Sequence, residues 1–356
     1  MIDIQGLIKA LKKFNIIYPK SKIMKKYLTY VGIDVSKAKL DVNILDSNTL
    51  QSEHFVIENT SKSIPRFLNS LRKQLDLQTT LFCCENTDVY TNHLATALLE
   101  LKLDLWIVPA IEIKRSKGIT RGKSDKSDAR DIAFYSLRNI DKLKLFTLPN
   151  IDLQKLKLLY AEREKMVKAM LLLQTTIENK AFTAKEVFKE VSSLNQGLIK
   201  SIKSSICKIE ARIKSIIRSN EELNKQVKLI RSVPGIGEQT SVYLLIATKG
   251  FTAFKNWRQF ACYSGVAPFE NTSGSSIKGR TKVNHIADKK MKALLQMCAM
   301  TSLRHDPQIK EYYNRKKAEG KNPMLFLNNV RCKIISRVFA VINRETAYVD
   351  MYKFAS

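Results

Sequence analysis

The stretch Tyr27-Leu-Thr-Tyr-Val-Gly-Ile-Asp34-Val-Ser-Lys-Ala-Lys-Leu-Asp-Val-Asn-Ile-Leu-Asp46 places an apolar run with one carboxylate directly before an alternating run. An uncharged, β-branched run reads as a buried strand, and strict alternation as a strand with one buried face. A carboxylate on a buried strand costs desolvation energy unless something pairs it, and a divalent metal is a common partner. Asp34 is therefore the first candidate for chemistry.

Strands are expected over residues 28–34, 38–45 and 52–57, with Asp46-Ser-Asn as the turn between the second and third, which makes an antiparallel meander. A helix over 61–76, the run Thr80-Leu-Phe-Cys-Cys-Glu85, a helix over 89–101 and a strand over 104–108 follow as a βαβα alternation. Such a pattern predicts a mixed α/β sheet. Residues 110–123 are basic (Lys114, Arg115, Lys117, Arg121, Lys123) and read as a short helix and a loop. Ser124 then N-caps a helix whose first turn carries Asp125 and Asp128.

From about residue 150 the pattern changes. Leu156, Leu159, Met166, Met170, Leu173 and Ile177 form a heptad-like seam, interrupted by Arg163. Ile199, Ile202, Ile206, Ile209, Ile213 and Ile216 follow a strict 3-4 spacing that Asn220, Leu223, Val227 and Ile230 extend. Two long helices joined around 180–195 are expected to form a coiled-coil hairpin; the alternative is two amphipathic helices packed on a globular core. Ile-rich seams also favour association of more than two helices, which offers a route to a homo-oligomer. A third, mostly α-helical unit begins at Ser232-Val-Pro-Gly235-Ile-Gly237, a turn of the helix-hairpin-helix kind whose backbone N–H groups can hold a phosphate. An ordinary helix connection is the competing explanation.

The chain has 356 residues, with 61 Lys and Arg against 33 Asp and Glu, a net charge of +28. A chain carrying such self-repulsion usually has a polyanionic partner, with nucleic acid ahead of an anionic membrane. No segment approaches the roughly 18 consecutive apolar residues of a membrane span, and residues before Tyr27 lack a signal-peptide core. A cytoplasmic, nucleoid-associated protein is expected. Six cysteines without CxxC spacing and four scattered histidines point to reduced structural thiols rather than zinc or disulfides.

Four acids stand out: Asp34 and Glu85 at strand ends, and Asp125 with Asp128 on one helix face. Acids so placed can converge on two divalent ions roughly 4 Å apart, the arrangement that serves phosphoryl displacement. Structural alternatives exist for three of them: helix N-terminal charge complementarity for Asp125 and Asp128, and a solvated strand end for Glu85.

The blocks Val31-Gly-Ile-Asp34-Val-Ser-Lys37, Glu85-Asn-Thr-Asp-Val-Tyr90 and Lys123-Ser-Asp125-Lys-Ser-Asp128-Ala129, together with Val233-Pro-Gly-Ile-Gly237, Phe260-Ala-Cys-Tyr-Ser-Gly-Val-Ala-Pro268 and Thr272-Ser273-Gly274, are specific as a set. In order and spacing the chain resembles the DEDD insertion-sequence transposases (the IS-one-ten type, akin to the Piv invertases), over roughly residues 28–345. The resemblance implies an RNase H-like, RuvC-like N-terminal domain in which Asp34, Glu85, Asp125 and Asp128 bind Mg²⁺, two ions in all. It implies Ser273 as a nucleophile that forms a phosphoserine with DNA. On its own, Thr272-Ser-Gly-Ser-Ser276 reads as a self-hydrogen-bonding loop, with Ser275 and Ser276 as neighbours of equal chemistry. The resemblance further implies donor and target DNA as substrates, an element-encoded guide RNA, and a dimer-to-tetramer assembly in which the acids of one subunit face the serine of another.

The domain division expected is an N-terminal extension 1–23, a RuvC-like domain 24–148, coiled-coil helices 149–229, a serine-bearing C-terminal domain 230–345 and a tail 346–356. Residues 1–23 precede the usual family start, and Met24 reads like a natural N-terminus. Asn-Thr-Asp88 replaces a frequent Thr-Gly pair, and Lys278-Gly-Arg-Thr-Lys-Val-Asn-His285 replaces other frequent pieces. Lys278, Arg280, Lys282, Lys114, Arg115, Gly235 and Gly237 are the expected nucleic-acid contacts. Besides a recombinase, a metal-only RuvC-like nuclease or junction resolvase and a catalytically decayed nucleic-acid-binding protein stay open.

Overall fold

Thr29–Val35, apolar in the main and carrying Asp34 as its one charge, forms β1, the central strand of a five-stranded sheet. The computed structural model describes residues 27–118, 124–147, 150–178, 182, 184–273, 277–320 and 322–349. The extension 1–23, Arg121, Lys123, Gly274, Ser275, Ser276 and the end of the tail lie outside the described residues. The chain divides into two compact units between Thr147 and Leu148.

In the first unit β2 (Lys39–Asp46) runs antiparallel to β1, with Asp34 opposite Asp41. β3 (Ser52–Glu58) pairs antiparallel with β2. The Asp46 carboxylate accepts N–H bonds from Asn48 and Thr49 at 2.9 and 2.7 Å, and so builds the expected turn. After α1 (Ser63–Leu71), β4 (Thr80–Glu85) returns parallel to β1, with Ile33 opposite Cys84. α2 (Asn92–Glu100) then leads to β5 (Asp104–Val108), parallel to β4. The resulting order β3-β2-β1-β4-β5 is a mixed sheet compatible with a RuvC-like fold. Both expected helices are shorter than predicted. α1 stops at Leu71, its last buried residue, and Asp76 caps a separate 3-10 turn over Leu77–Thr79, while a 3-10 turn over Asp88–Thr91 precedes α2.

One sheet face packs on α1 and α2 through Val31, Ile33, Phe82, Leu68 and Leu98. Following α3 (Ala110–Ser116), α4 (Asp125–Arg138) covers the other face with Ile132 and Ala133 against Leu81, Cys83 and Trp106. Burial pushes the Cys84 thiol up to about 12, which makes it an inert core group. All six cysteines are free thiols.

In the second unit α5 (Ile151–Glu178) and α6 (Lys185–Ser219) lie antiparallel, as the bonds from Arg163 Nε to Glu210 (2.7 Å) and from Asn195 Nδ2 to the Leu173 carbonyl (3.5 Å) require. The isoleucine seam does not run through to Ile230 as one helix. Asn220 is extended (φ −111°, ψ 110°) and its side chain accepts the Leu223 N–H, capping α7 (Glu221–Ser232). The apolar spacing survives the break because both helices face one core. That core joins Leu156, Tyr160, Ile213 and Ile230 to Leu245, Phe260, Leu295 and Ile334. It also draws on α8 (Glu238–Thr248), α9 (Trp257–Tyr263), α10 (Lys289–His305), α11 (Pro307–Ala318) and α12 (Pro323–Arg344). The unit is mostly helical. A two-stranded antiparallel ribbon, β6 (Pro268–Ser273) and β7 (Ile277–Val283), flanks the segment that the sequence suggested to be a loop.

Gly32 gives the sharpest test of the first unit. A Cβ there would lie 2.2 Å from the Ala129 carbonyl oxygen and 2.2 Å from the Ala133 nitrogen, both backbone atoms. No rotamer change relieves that clash, so Gly32→Ala is expected to destabilise the unit by about 1–3 kcal/mol. Thermal unfolding checks it; an unchanged melting temperature would contradict the close approach of helix and strand.

Candidate active site

The contact at Gly32 determines where the acids meet. Because α4 touches β1 backbone to backbone at Ala129 and Ala133, its first turn lies beside the C-terminal end of β1, where Asp34 stands. Ser124 holds that turn: its side chain accepts the Ser127 N–H while Ser127 returns a bond to the Ser124 backbone. Glu85 ends β4, one residue beyond the Ile33–Cys84 pair, so it neighbours Asp34 across the parallel ladder. Asn59 ties the adjoining loops together, donating through Nδ2 to the Ser36 carbonyl (2.8 Å) and the Tyr90 carbonyl (3.0 Å). Three elements far apart in sequence thus bring Asp34, Glu85, Asp125 and Asp128 to one end of the sheet.

Their charges interact. The pKa of Asp34 is raised, first by burial and then by the negative charges of Asp128, Asp125, Glu85 and Asp41. Among the described residues, no cation and no hydrogen-bond donor meets the half-buried Asp34 carboxylate or that of Glu85. The helix acids differ. Lys39 Nζ lies 2.8 Å from Asp125 and 3.0 Å from Asp41, and Lys117 Nζ lies 2.5 Å from Asp128 and 3.1 Å from Asp131. Hydrogen bonds to Asp125 and Asp41 raise the pKa of Lys39. Burial pulls Lys117 down, but its bonds to Asp128 and Asp131 outweigh that and leave it raised. Both ammonium groups therefore stay charged and serve as counter-ions.

Asp41, Lys39, His54 and Lys117 join the site as neighbours not expected from the sequence. Asp41 is 4% exposed and also bonds His54 Nε2 at 3.1 Å. Its strand alternation was a usable signal, since an acid directly opposite Asp34 in a hairpin shares its face.

The donor set suits a hard divalent cation. It consists of four carboxylates, two of which meet no partner among the described residues, in a place where burial and then mutual repulsion raise Asp34. Among the described residues, no three Asp, Glu, His or Cys side chains are gathered into a ready-made metal cage. Two of the four acids are instead bonded to ammonium groups, Asp125 to Lys39 and Asp128 to Lys117.

The remaining predicted residues lie elsewhere. Lys114 and Arg115 are exposed in the last turn of α3. Ser273 ends β6, in register with Ile277, and belongs to the second unit; Lys278, Arg280 and Lys282 are on β7. Gly235 has φ +91°, and a Cβ there would meet Ser302 Oγ at 2.1 Å and the Cys298 carbonyl at 2.7 Å. The Gly237 amide faces the Cys298 sulfur. Packing of this turn on α10 accounts for Gly235 on its own.

The chain is similar to known proteins. Residues 31–180 match a DEDD family model described as a transposase, and residues 227–314 match the model of the Transposase IS116/IS110/IS902 family. The "Pilin gene-inverting protein" of Moraxella bovis is 26% identical over 325 residues, covering 90% of this chain and 97% of that protein. That of Moraxella lacunata is equally similar. An uncharacterized 43.6 kDa protein of insertion element IS110 from Streptomyces coelicolor is 29% identical over 140 residues, covering 39% of this chain and 33% of that protein. With one family model spanning the acids, a second spanning Ser273, and the gene-inverting relatives running nearly end to end, the chain belongs to the IS110 family of DEDD transposases.

Proposed function

We propose that this chain is a Mg²⁺-dependent DNA recombinase that excises and inserts a mobile element through a phosphoserine on Ser273. The observation that carries the metal-dependent part is half-buried Asp34, which meets no partner among the described residues and stands among four other carboxylates. Asp34, Glu85, Asp125 and Asp128 would hold the metal, two ions in all; bound there, the metal would lower the pKa of an attacking hydroxyl and stabilise charge on the phosphate. For the helix acids to take part, Asp125 must release Lys39 and Asp128 must release Lys117. The freed ammonium groups then face an anionic substrate.

Ser273 supplies what a water-using nuclease lacks. Its oxygen forms an ester with phosphorus as the phosphorus–oxygen bond to the neighbouring nucleotide breaks, which leaves a DNA hydroxyl free. The phosphoserine keeps the energy of the broken bond, so a hydroxyl from another strand can reverse the step and join new partners. Gene inversion, the activity printed in the name of the Moraxella relatives, needs such rejoining.

We assign residues 24–148 to the acid-bearing domain, 149–229 to coiled-coil helices and 230–345 to the serine-bearing domain, whose Val233–Gly237 turn is of the helix-hairpin-helix kind. A guide RNA pairing with donor and target DNA fits the net charge of +28. Leu171, Leu172, Leu194 and Leu198, between 53% and 72% exposed near the far end of α5 and α6, support a homo-oligomer. Acting on DNA, the protein would work in the cytoplasm at the nucleoid.

Two substitutions test this reading. Ser273→Ala is expected to lower strand transfer by on the order of a thousandfold or more and to abolish the covalent protein–DNA adduct on denaturing gels. Full cleavage by that variant would instead mark a metal-only nuclease. Asp34→Asn is expected to abolish cleavage while DNA affinity, measured by filter binding, stays at the parent level. A parent protein that binds DNA but never cuts it would indicate a decayed active site.

A further inference from the structure

We infer that the second unit carries a separate binding cleft for the phosphodiester backbone of nucleic acid, formed by α6, α7 and α8, a site that the acids, Ser273 and the β6–β7 ribbon do not include. The inference rests on the nucleic-acid reading above and names a place for it.

A cavity of about 710 Å³ opens between these helices. Lys214 and Arg218 come from α6, Lys228 and Arg231 from α7, and Glu238 from α8. Helical spacing explains the convergence: residues 214 and 218 share one face, as do 224, 228 and 231. Four cations thus face one carboxylate. Glu238 is already paired, its oxygen lying 3.2 Å from Lys214 Nζ. Arg218, Lys228 and Arg231 are exposed, and among the described residues none of them pairs with an acid. Three cations without an acidic partner among the described residues line one cavity on two adjoining helices, and a polyanion bound there releases its own counterions.

The rest of the lining favours a nucleotide chain over a single small anion. Ile217, Val227 and Val242 give an apolar floor on which sugars can lie, and Asn224 and Ser232 add polar groups between the cations. The cavity volume far exceeds one phosphate group, and the cations stand on two different helices, which lets them meet different phosphates of one backbone. DNA and RNA share this chemistry, so the test separates them.

The full chain is compared with the triple variant Arg218→Gln/Lys228→Gln/Arg231→Gln and with a control of equal charge change, Arg72→Gln/Lys73→Gln/Lys102→Gln, whose three cations are exposed on the first unit. Binding to a duplex DNA and to a duplex RNA of the same sequence is titrated from 50 to 300 mM salt. The cleft variant is expected to bind at least one of the two roughly tenfold more weakly, and its log K against log salt slope to be shallower by about 3, while the control shifts little. Loss on DNA alone or RNA alone identifies the source, and equal loss on both assigns a general backbone site. Equal weakening by cleft variant and control would overturn the inference, because net charge alone would then explain binding. A cleft variant that binds both as the parent does would also overturn it. A parent that binds neither would overturn the underlying nucleic-acid reading as well. Circular dichroism melting shows that each variant is folded, and the conservative Arg218→Lys/Arg231→Lys pair, which keeps the charge, is expected to restore most of the affinity.

Discussion

The first unit depends on one close approach, the backbone of α4 lying directly on β1 at Gly32. Any side chain at that position would push the helix away, and the helix carries two of the four acids in its first turn. Sheet topology then supplies the other two. With β4 parallel to β1, the strand ends bearing Asp34 and Glu85 emerge on the same side of the sheet, beside the start of α4. A chain that met only its packing requirements would gain nothing from setting carboxylates there.

Electrostatics completes the picture. Five acids, counting Asp41, are brought near each other with Lys39 and Lys117 bonded among them, and half-buried Asp34 is left to bear the repulsion. Such an arrangement is destabilising in itself and persists because the packing around it overdetermines it. A cation bound there, as proposed, would relieve that repulsion. The lysines hold the helix acids in the meantime.

Much of this was legible in the sequence because it rests on local pattern. The strand around Asp34, the alternation of β2, the Ser124 cap and the strand ending at Glu85 follow from period-2 spacing and capping chemistry. The helix ends were less legible, since α1 stops where its buried face stops. Asn220 shows a different limit: it fits a heptad position and a helix cap equally well, and only the packing of Leu223, Val227 and Ile230 on the globular core decided for the cap. Lys39 and Lys117 were invisible as site residues, because an ion pair across 86 residues, or one that spans a helix junction, leaves no periodic trace. The β6–β7 ribbon lacked the clean alternation that reveals a strand, so the Ser273 segment read as a loop.

The most direct test of the claim that these acids form one cation site is uptake of Mn²⁺ by the full chain in the presence of DNA, followed by the loss of the free-ion electron paramagnetic resonance signal. On the order of two Mn²⁺ ions are expected to bind per chain beyond those held by the DNA alone, and the double variant Asp34→Asn/Asp128→Asn to take up none at the same concentration. A parent chain that leaves the free-ion signal unchanged, or a double variant that binds as many ions as the parent, would contradict it.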